Sequence, residues 1–218
     1  MTQKPARVAI LISGRGSNMR SLVEAARTKP FPAEIALVLS NVASAEGLNF
    51  ARAQGIATAV VEHRNFSDRE SFERVLQAAL TDHAIDLVCL AGFMRLLTPW
   101  FVEQWRARML NIHPALLPSY RGLHTHERAL VDGVKIHGAT VHFVAPEMDA
   151  GPIIAQAAVA VLDSDTPETL GARVLEQEHK IYPLALKLVA GGFARVDGAR
   201  VLIDAERNAP PALVWPAD

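Results

Sequence analysis

The sequence predicts an α/β fold: a mostly parallel sheet with helices on both faces, with a mixed or antiparallel extension and a C-terminal hairpin. Three observations carry this. Short apolar runs alternate with segments whose apolar residues recur at helical spacing. The runs are continuous rather than alternating apolar and polar, as strands covered on both faces are. From Ala139 onward two long apolar runs are separated only by a short polar link, which is too short for a parallel crossover.

Arg7 to Ile12 is the first apolar run and ends in Ser13-Gly14-Arg15-Gly16-Ser17-Asn18. Met19, Leu22, Val23 and Ala26 then share one helical face, so the order is strand, glycine loop, helix. Ile35 to Leu39 reads as a second buried strand, followed by a helix near Ala45 to Gln54 that Gly55 stops. Thr58 to Val61 is a third strand. Ser67 is the expected cap of a helix running to about Asp82, with Glu70 completing a capping box. Ile85 to Ala91 and Met109 to Ile112 are the fourth and fifth strands. Ala139 to Ala145 and Ile153 to Val161 are the two long strands, joined by Pro146 to Pro152. Thr166-Pro167-Glu168 opens a helix to about Ala190. Val196-Asp197-Gly198-Ala199 signals a two-residue hairpin between Phe193 to Arg195 and Arg200 to Ile203. The order is Rossmann-like. We expect one domain over residues 1–218, with a core at about 7–204 and a loose Pro-rich tail at 205–218.

Composition narrows the function. The chain has 218 residues, 50% hydrophobic and 21% charged, and a formal net charge of -1, so no basic surplus advertises nucleic-acid binding. Its single cysteine, Cys89, lies within an apolar run, which excludes a disulfide or cysteine–metal framework. No apolar run is long enough to span a bilayer and no signal peptide is seen, so the expected location is cytoplasmic.

The densest chemistry is in Met109-Leu110-Asn111-Ile112-His113-Pro114, where an amide and an imidazole stand two residues apart. In a strand such residues share a face. A donor that polarises a carbonyl beside a group that moves a proton is what acyl transfer needs. The alternative is a polar strand end whose His is satisfied by its neighbours. Gly14-Arg15-Gly16 between strand and helix invites a dinucleotide reading. Met19 at the third glycine position and Ser40-Asn41 after the second strand, with no acid there, argue against it. What remains is a turn into a helix start, with Ser17 and Asn18 as extra donors, which suits a phosphate monoester; a plain tight turn with Ser17 or Asn18 as the helix cap is the other reading.

Five of the eight histidines, His113, His124, His126, His137 and His142, fall close together in sequence, and with Asp149 they leave a metal site open. No second His follows His126-Glu127 at zinc-protease spacing, and no Gly-x-Ser-x-Gly elbow occurs. His137 and His142, an odd number apart, would point to opposite faces of one strand. Asp149, in the loop before Gly151-Pro152, is either a turn residue or a carboxylate that favours the protonated form of His113.

Ser13-Gly14-Arg15-Gly16-Ser17-Asn18, Ala91-Gly92-Phe93-Met94-Arg95, Asn111-Ile112-His113-Pro114 with Leu116-Leu117-Pro118, and Asp149-Ala150-Gly151-Pro152 occur in this order. Together they resemble the formyltransferase superfamily and, within it, the folate-dependent phosphoribosylglycinamide formyltransferases of purine biosynthesis, over about Arg7 to Ile203. The resemblance implies formyl transfer from 10-formyltetrahydrofolate to the glycinamide amine, with no metal. By position, Asn111 polarises the formyl oxygen, His113 is the general acid/base and Asp149 supports its charged form. Gly16, Ser17 and Asn18 match the phosphate site, and Glu178 a position that holds the substrate amine or ribose. The folate side is matched by Arg69, Met94, Arg95, Leu96, Leu97, Asn111, Ala145, Pro146, Glu147, Met148 and Asp149, and a supporting histidine by His142. Leu175 departs from relatives with a polar substrate contact there. Small-molecule substrates, neither nucleic acid nor a membrane, and a monomer or homodimer are the expected partners. The competing readings are a metal-dependent amidohydrolase, a non-catalytic nucleotide-binding module, a methionyl-tRNA formyltransferase and a formyltetrahydrofolate deformylase. The last two are expected to need a further domain.

Overall fold

The computed structural model describes residues 4–204 and Trp215. Strand β1 (Ala6–Ile12) passes through the glycine loop into α1 (Ser17–Arg27). The alternation continues with β2 (Ala33–Ser40), α2 (Glu46–Ala53), β3 (Ala57–Val60), α3 (Arg69–Asp82) and β4 (Leu87–Leu90). Then come α4 (Pro99–Gln104), β5 (Met109–His113), α5 (Thr125–Val131), β6 (Ile136–Phe143), β7 (Ile153–Ala160), α6 (Pro167–Ala190) and the hairpin β8 (Ala194–Asp197) and β9 (Arg200–Ile203). Seven strands form one sheet in the order β3-β2-β1-β4-β5-β6-β7, and β8 and β9 pair apart from it. β1 to β5 pair in parallel, whereas β6 and β7 are antiparallel. The mixed extension read from the sequence is therefore present.

Successive β1 residues feed two apolar layers. Val8, Ile10 and Ile12 join the core under α1, α2 and α6, while Ala9 and Leu11 join the core under α3 and α4. This is why the run is continuous in sequence: both faces are buried. From β1 the chain passes to β2 on one side and later returns to β4 on the other. The reversal leaves a crevice at the C-terminal ends of β1 and β4, where open α/β sheets place their ligands. Tyr182 docks α6 beneath it. Its fully buried hydroxyl lies 2.9 Å from the Leu90 carbonyl and 3.1 Å from that of Leu110.

The structure corrects several sequence expectations. The cap of α3 is Asp68, not Ser67. The Asp68 carboxylate accepts from Ser71 N–H at 2.7 Å, and an anion suits a helix start better than a hydroxyl does. Strand β6 begins at Ile136 rather than Ala139. Gly138 disguises its start, yet the pairing with β7 requires it: a Cβ there would lie 2.0 Å from the Ala157 carbonyl oxygen. The hairpin turn is centred on Gly198-Ala199, one residue later than expected, because Gly198 supplies the positive φ (61°) at its first central position. The short helices α4 and α5 have too few turns to show a period and were not expected. The expected tail lies outside the described residues except for Trp215, whose indole N–H donates to the Val161 carbonyl at 3.1 Å. Among the described residues no helix is long and apolar enough to cross a membrane.

Candidate active site

Strand β5 delivers Asn111 and His113 on one face, and its antiparallel pairing puts His142 of β6 directly opposite Asn111. Their side chains meet, Asn111 Nδ2 lying 3.3 Å from His142 Nε2. His142 Nδ1 lies 2.8 Å from the Phe143 carbonyl, which can only accept, so Nδ1 carries the proton and Nε2 offers a lone pair to Asn111. Burial pushes the His142 pKa down and keeps the ring neutral, the form this arrangement needs. One Asn111 N–H is thereby held and the other is left for a ligand oxygen.

His113 is buried, and its Nδ1 stands 3.4 Å from Asp149 Oδ2. The structure thus brings Asn111, His113 and Asp149 together, although Asp149 lies on a separate loop. Asp149 has φ 52°, a left-handed conformation that Asp and Asn adopt more readily than other side-chain-bearing residues. The other His113 nitrogen, Nε2, donates to the Tyr120 carbonyl at 2.8 Å, and Gly122 N–H donates to Asp149 Oδ2 at 2.9 Å. These backbone partners were not legible in the sequence, since any residue supplies a carbonyl or an N–H. With Nε2–H held by a carbonyl, Nδ1 is the nitrogen free to exchange a proton. A buried network fixes the preceding turn: Thr140 Oγ1 accepts from Leu117 N–H at 3.0 Å and donates to the Ala115 carbonyl at 2.7 Å, while Gln156 Nε2 donates to the Leu117 carbonyl at 2.9 Å.

The start of α1 fits an anion. Gly16 is its N-cap, left-handed at φ 72°, without a side-chain cap or an acidic residue in the first turn. A side chain at Gly16 would also meet Met19 Cε at 2.9 Å. The first backbone bond of the helix is Arg20 N–H to the Gly16 carbonyl, so the N–H groups of Ser17, Asn18 and Met19 have no partner within the helix. Ser17 opens onto a groove of about 530 Å³ between α1 and α6.

The side-chain amide of Asn18, expected as an extra phosphate donor, is committed elsewhere. Its Nδ2 donates to Glu178 Oε2 at 2.6 Å in a buried contact, and its Oδ1 has no partner among the described residues. Glu178, one turn before Tyr182, links α6 to the phosphate loop. Burial raises the Glu178 pKa, with the Asn18 hydrogen bond opposing it. A carboxyl whose folded pKa is raised contributes its full stability below its unfolded pKa of about 4.3, and loses it as pH rises through the folded value. At neutral pH its ionised form is therefore destabilising. Glu178→Gln, which keeps the acceptor for Asn18, is expected to raise Tm at pH 7 by roughly 2–4 °C per kcal/mol relieved, with the gain vanishing toward pH 4. Thermal melts across that range test this; an equal loss of Tm at both ends would refute it.

On the other side of the crevice, Ser13 ties the loop after β4 to the glycine loop. Its hydroxyl donates to Asn41 Oδ1 at 2.6 Å and accepts from Met94 N–H at 2.8 Å. Thr98 closes that segment against buried Glu73, which accepts from both its N–H and its hydroxyl. Between these anchors Met94 and Leu96 stand 70% and 61% exposed, a large apolar surface on a fixed backbone, while Leu97 leans on the core. Arg95 Nε is buried without a partner among the described residues. Arg69, exposed at the first turn of α3, lies at the same edge of the sheet but makes no contact with the trio. In the loop from Ala145 to Asp149, Pro146, Glu147 and Met148 are exposed, and Glu147 pairs with Arg121 at 2.5 Å.

His137, an odd number of residues from His142 on β6, meets His126 at 3.2 Å and the Tyr120 ring edge-on. Burial, with His126 adding to it, lowers its pKa to about 4. Among the described residues no three His, Cys, Asp or Glu side chains are grouped to hold a metal.

A sequence model of the formyl transferase family matches residues 6–186. The trifunctional purine biosynthetic protein adenosine-3 of Homo sapiens is 50% identical over 89% of this chain, which spans 19% of that protein. The phosphoribosylglycinamide formyltransferase of Escherichia coli (strain K12) is 44% identical, with 93% of this chain and 96% of the relative covered. The crystal structure of glycinamide ribonucleotide transformylase 1 from Symbiobacterium toebii superposes with a TM-score of 0.89 at 43% identity, covering 91% of this chain and 94% of that one.

Proposed function

The chain belongs to the formyl transferase family, and from that premise we propose that it transfers the formyl group of 10-formyltetrahydrofolate to the amine of phosphoribosylglycinamide. The observation that carries this is the meeting of Asn111, His113 and Asp149 at the same sheet edge as an uncapped helix start. The backbone N–H groups at Gly16, Ser17 and Asn18 take the phosphate, and Glu178 receives the amine or ribose. The apolar Met94–Leu97 segment, Arg69, Arg95 and the Ala145–Asp149 loop take the folate. The chain acts in the cytoplasm on small molecules, as a monomer or homodimer, without nucleic acid or membrane.

The chemistry follows from the geometry. The amine nitrogen forms a bond to the formyl carbon, whose oxygen becomes an oxyanion. The free Asn111 N–H and protonated His113 stabilise that oxygen. A proton leaves the new ammonium, one reaches the folate nitrogen, and the bond from that nitrogen to the formyl carbon breaks. His113 Nδ1 is the nitrogen placed to move a proton, with Asp149 balancing its charge. Holding both substrates in one crevice adds several kcal/mol through orientation. No metal is needed for these steps.

The test is formyl transfer after exhaustive chelation, with amide product and free formate both quantified. Undiminished amide with little formate is expected. Formate as the main product, or activity restored only by zinc, would overturn the proposal. A phosphate-free analogue of the amine substrate should bind roughly tenfold or more weakly, as loss of charge-assisted hydrogen bonds implies, with folate affinity little changed. Equal affinity for the analogue would sink the phosphate assignment.

A further inference from the structure

We propose that Arg128 is a positioning residue for the catalytic pair, acting through the backbone of residues 120–123; only the kinetic arm of this inference rests on the formyl-transfer reading. That segment holds both members of the pair. The Tyr120 carbonyl accepts from His113 Nε2, and Gly122 N–H grips Asp149 Oδ2. If the segment moves, the tautomer of His113 and the aim of Asp149 change together.

The segment has little reason to stay in place unaided. Tyr120, Gly122 and His124 have φ of 55°, 81° and 57°. A left-handed Tyr or His is uncommon and persists where the surroundings over-determine it. The holding side chain is Arg128, in the last turn of the short helix α5. Its Nη1 donates to the Arg121 carbonyl at 2.7 Å and lies 3.4 Å from that of Leu123. Its guanidinium sits 5.4 Å from the centroid of the Tyr120 ring, within reach of a cation–π attraction.

One planar group thus engages three of the four residues that touch or flank the catalytic contacts. Arg121 itself reaches outward to Glu147, two residues before Asp149, but that pair is solvent-exposed and holds weakly. The Tyr120 ring meets His137 edge-on at 5.7 Å, a contact that fixes the ring and not the carbonyl. Asp132 likewise engages the Tyr120 side chain, so Arg128, though its hydrogen bonds are exposed, is the side chain that reaches the carbonyls of this segment directly. It has no contact with His113, Asp149 or Asn111, so its effect passes through the backbone.

Arg128→Met keeps the length and apolar stem of the side chain and removes its donors and charge. We expect kcat to fall by about tenfold, the scale on which a slightly misplaced catalytic group costs rate, with KM for both substrates close to that of the parent. The ¹⁵N spectrum of His113 is the second readout. In the parent the neutral ring should carry its proton on Nε2, and in Arg128→Met the shifts should move toward a mixture of tautomers. Arg128→Lys, which still offers a cation and a donor, should recover part of both effects. Unchanged kcat in Arg128→Met, or lost kcat with unmoved His113 signals, would overturn the proposal. Should Arg128→Met fail to fold, Arg128→Lys must show a smaller shift of both readouts in the same direction, and its absence would equally overturn it. A parent enzyme that transfers no formyl group would refute the functional reading instead, and the spectra would still decide the role of Arg128.

Discussion

Substitution of Asn111 by Ala is expected to lower kcat for formyl transfer by about two to three orders of magnitude, the cost of removing one donor from a preorganised oxyanion site. The reason lies in how the amide is held. His142, neutral and buried, takes one Asn111 N–H on Nε2, which fixes the amide and leaves the other N–H for a ligand. The variant leaves a cavity at a half-buried position rather than in the deep core, so the fold should survive, as circular dichroism can verify. Because the donor acts mainly on charge that develops during reaction, kcat should fall far more than KM changes. A variant with parental kcat would remove Asn111 from the mechanism.

Asp149→Asn is the second large effect, expected to cost about two to four orders of magnitude in kcat. Asn tolerates the left-handed backbone at this position and can still accept from Gly122 N–H through its carbonyl oxygen, so geometry is kept while the charge is lost. An imidazolium formed at His113 Nδ1, 3.4 Å away, then has no counter-charge. Comparing Asp149→Asn with Asp149→Ala separates the two contributions. If the Asn variant is as active as the parent, the carboxylate serves only to hold the loop. If both variants lose activity alike, it is the charge that matters.

Much of this site could be read before folding. Asn111 and His113 face the same way because they are two residues apart on a strand, and His137 and His142 diverge because they are five apart on one. The uncapped start of α1 was one of two readings, and the structure decided it by making Gly16, rather than Ser17 or Asn18, the N-cap. Continuous apolar runs announced a sheet buried on both faces, and the short link after β6 announced an antiparallel pair. Errors fell where a local preference had a close competitor. Asp68 displaced Ser67 as cap by one residue, and the hairpin turn shifted to give Gly198 the positive φ it alone accommodates.

By itself, then, the sequence determined the order and kind of the main elements and the direction of side chains within each, because strand and helix periodicities are properties of the local backbone. Only the tertiary structure decided which of those side chains meet. Asn18 and Glu178 are 160 residues apart, yet their contact joins the phosphate loop to α6. Ser13 reaches Asn41 and Met94 only because β1 lies between β2 and β4. The partners that set the His113 tautomer and grip Asp149 are a backbone carbonyl and a backbone N–H, which every residue but proline can offer and no residue type signals. Periodicity fixes direction within an element, whereas distance between elements depends on how the whole core packs.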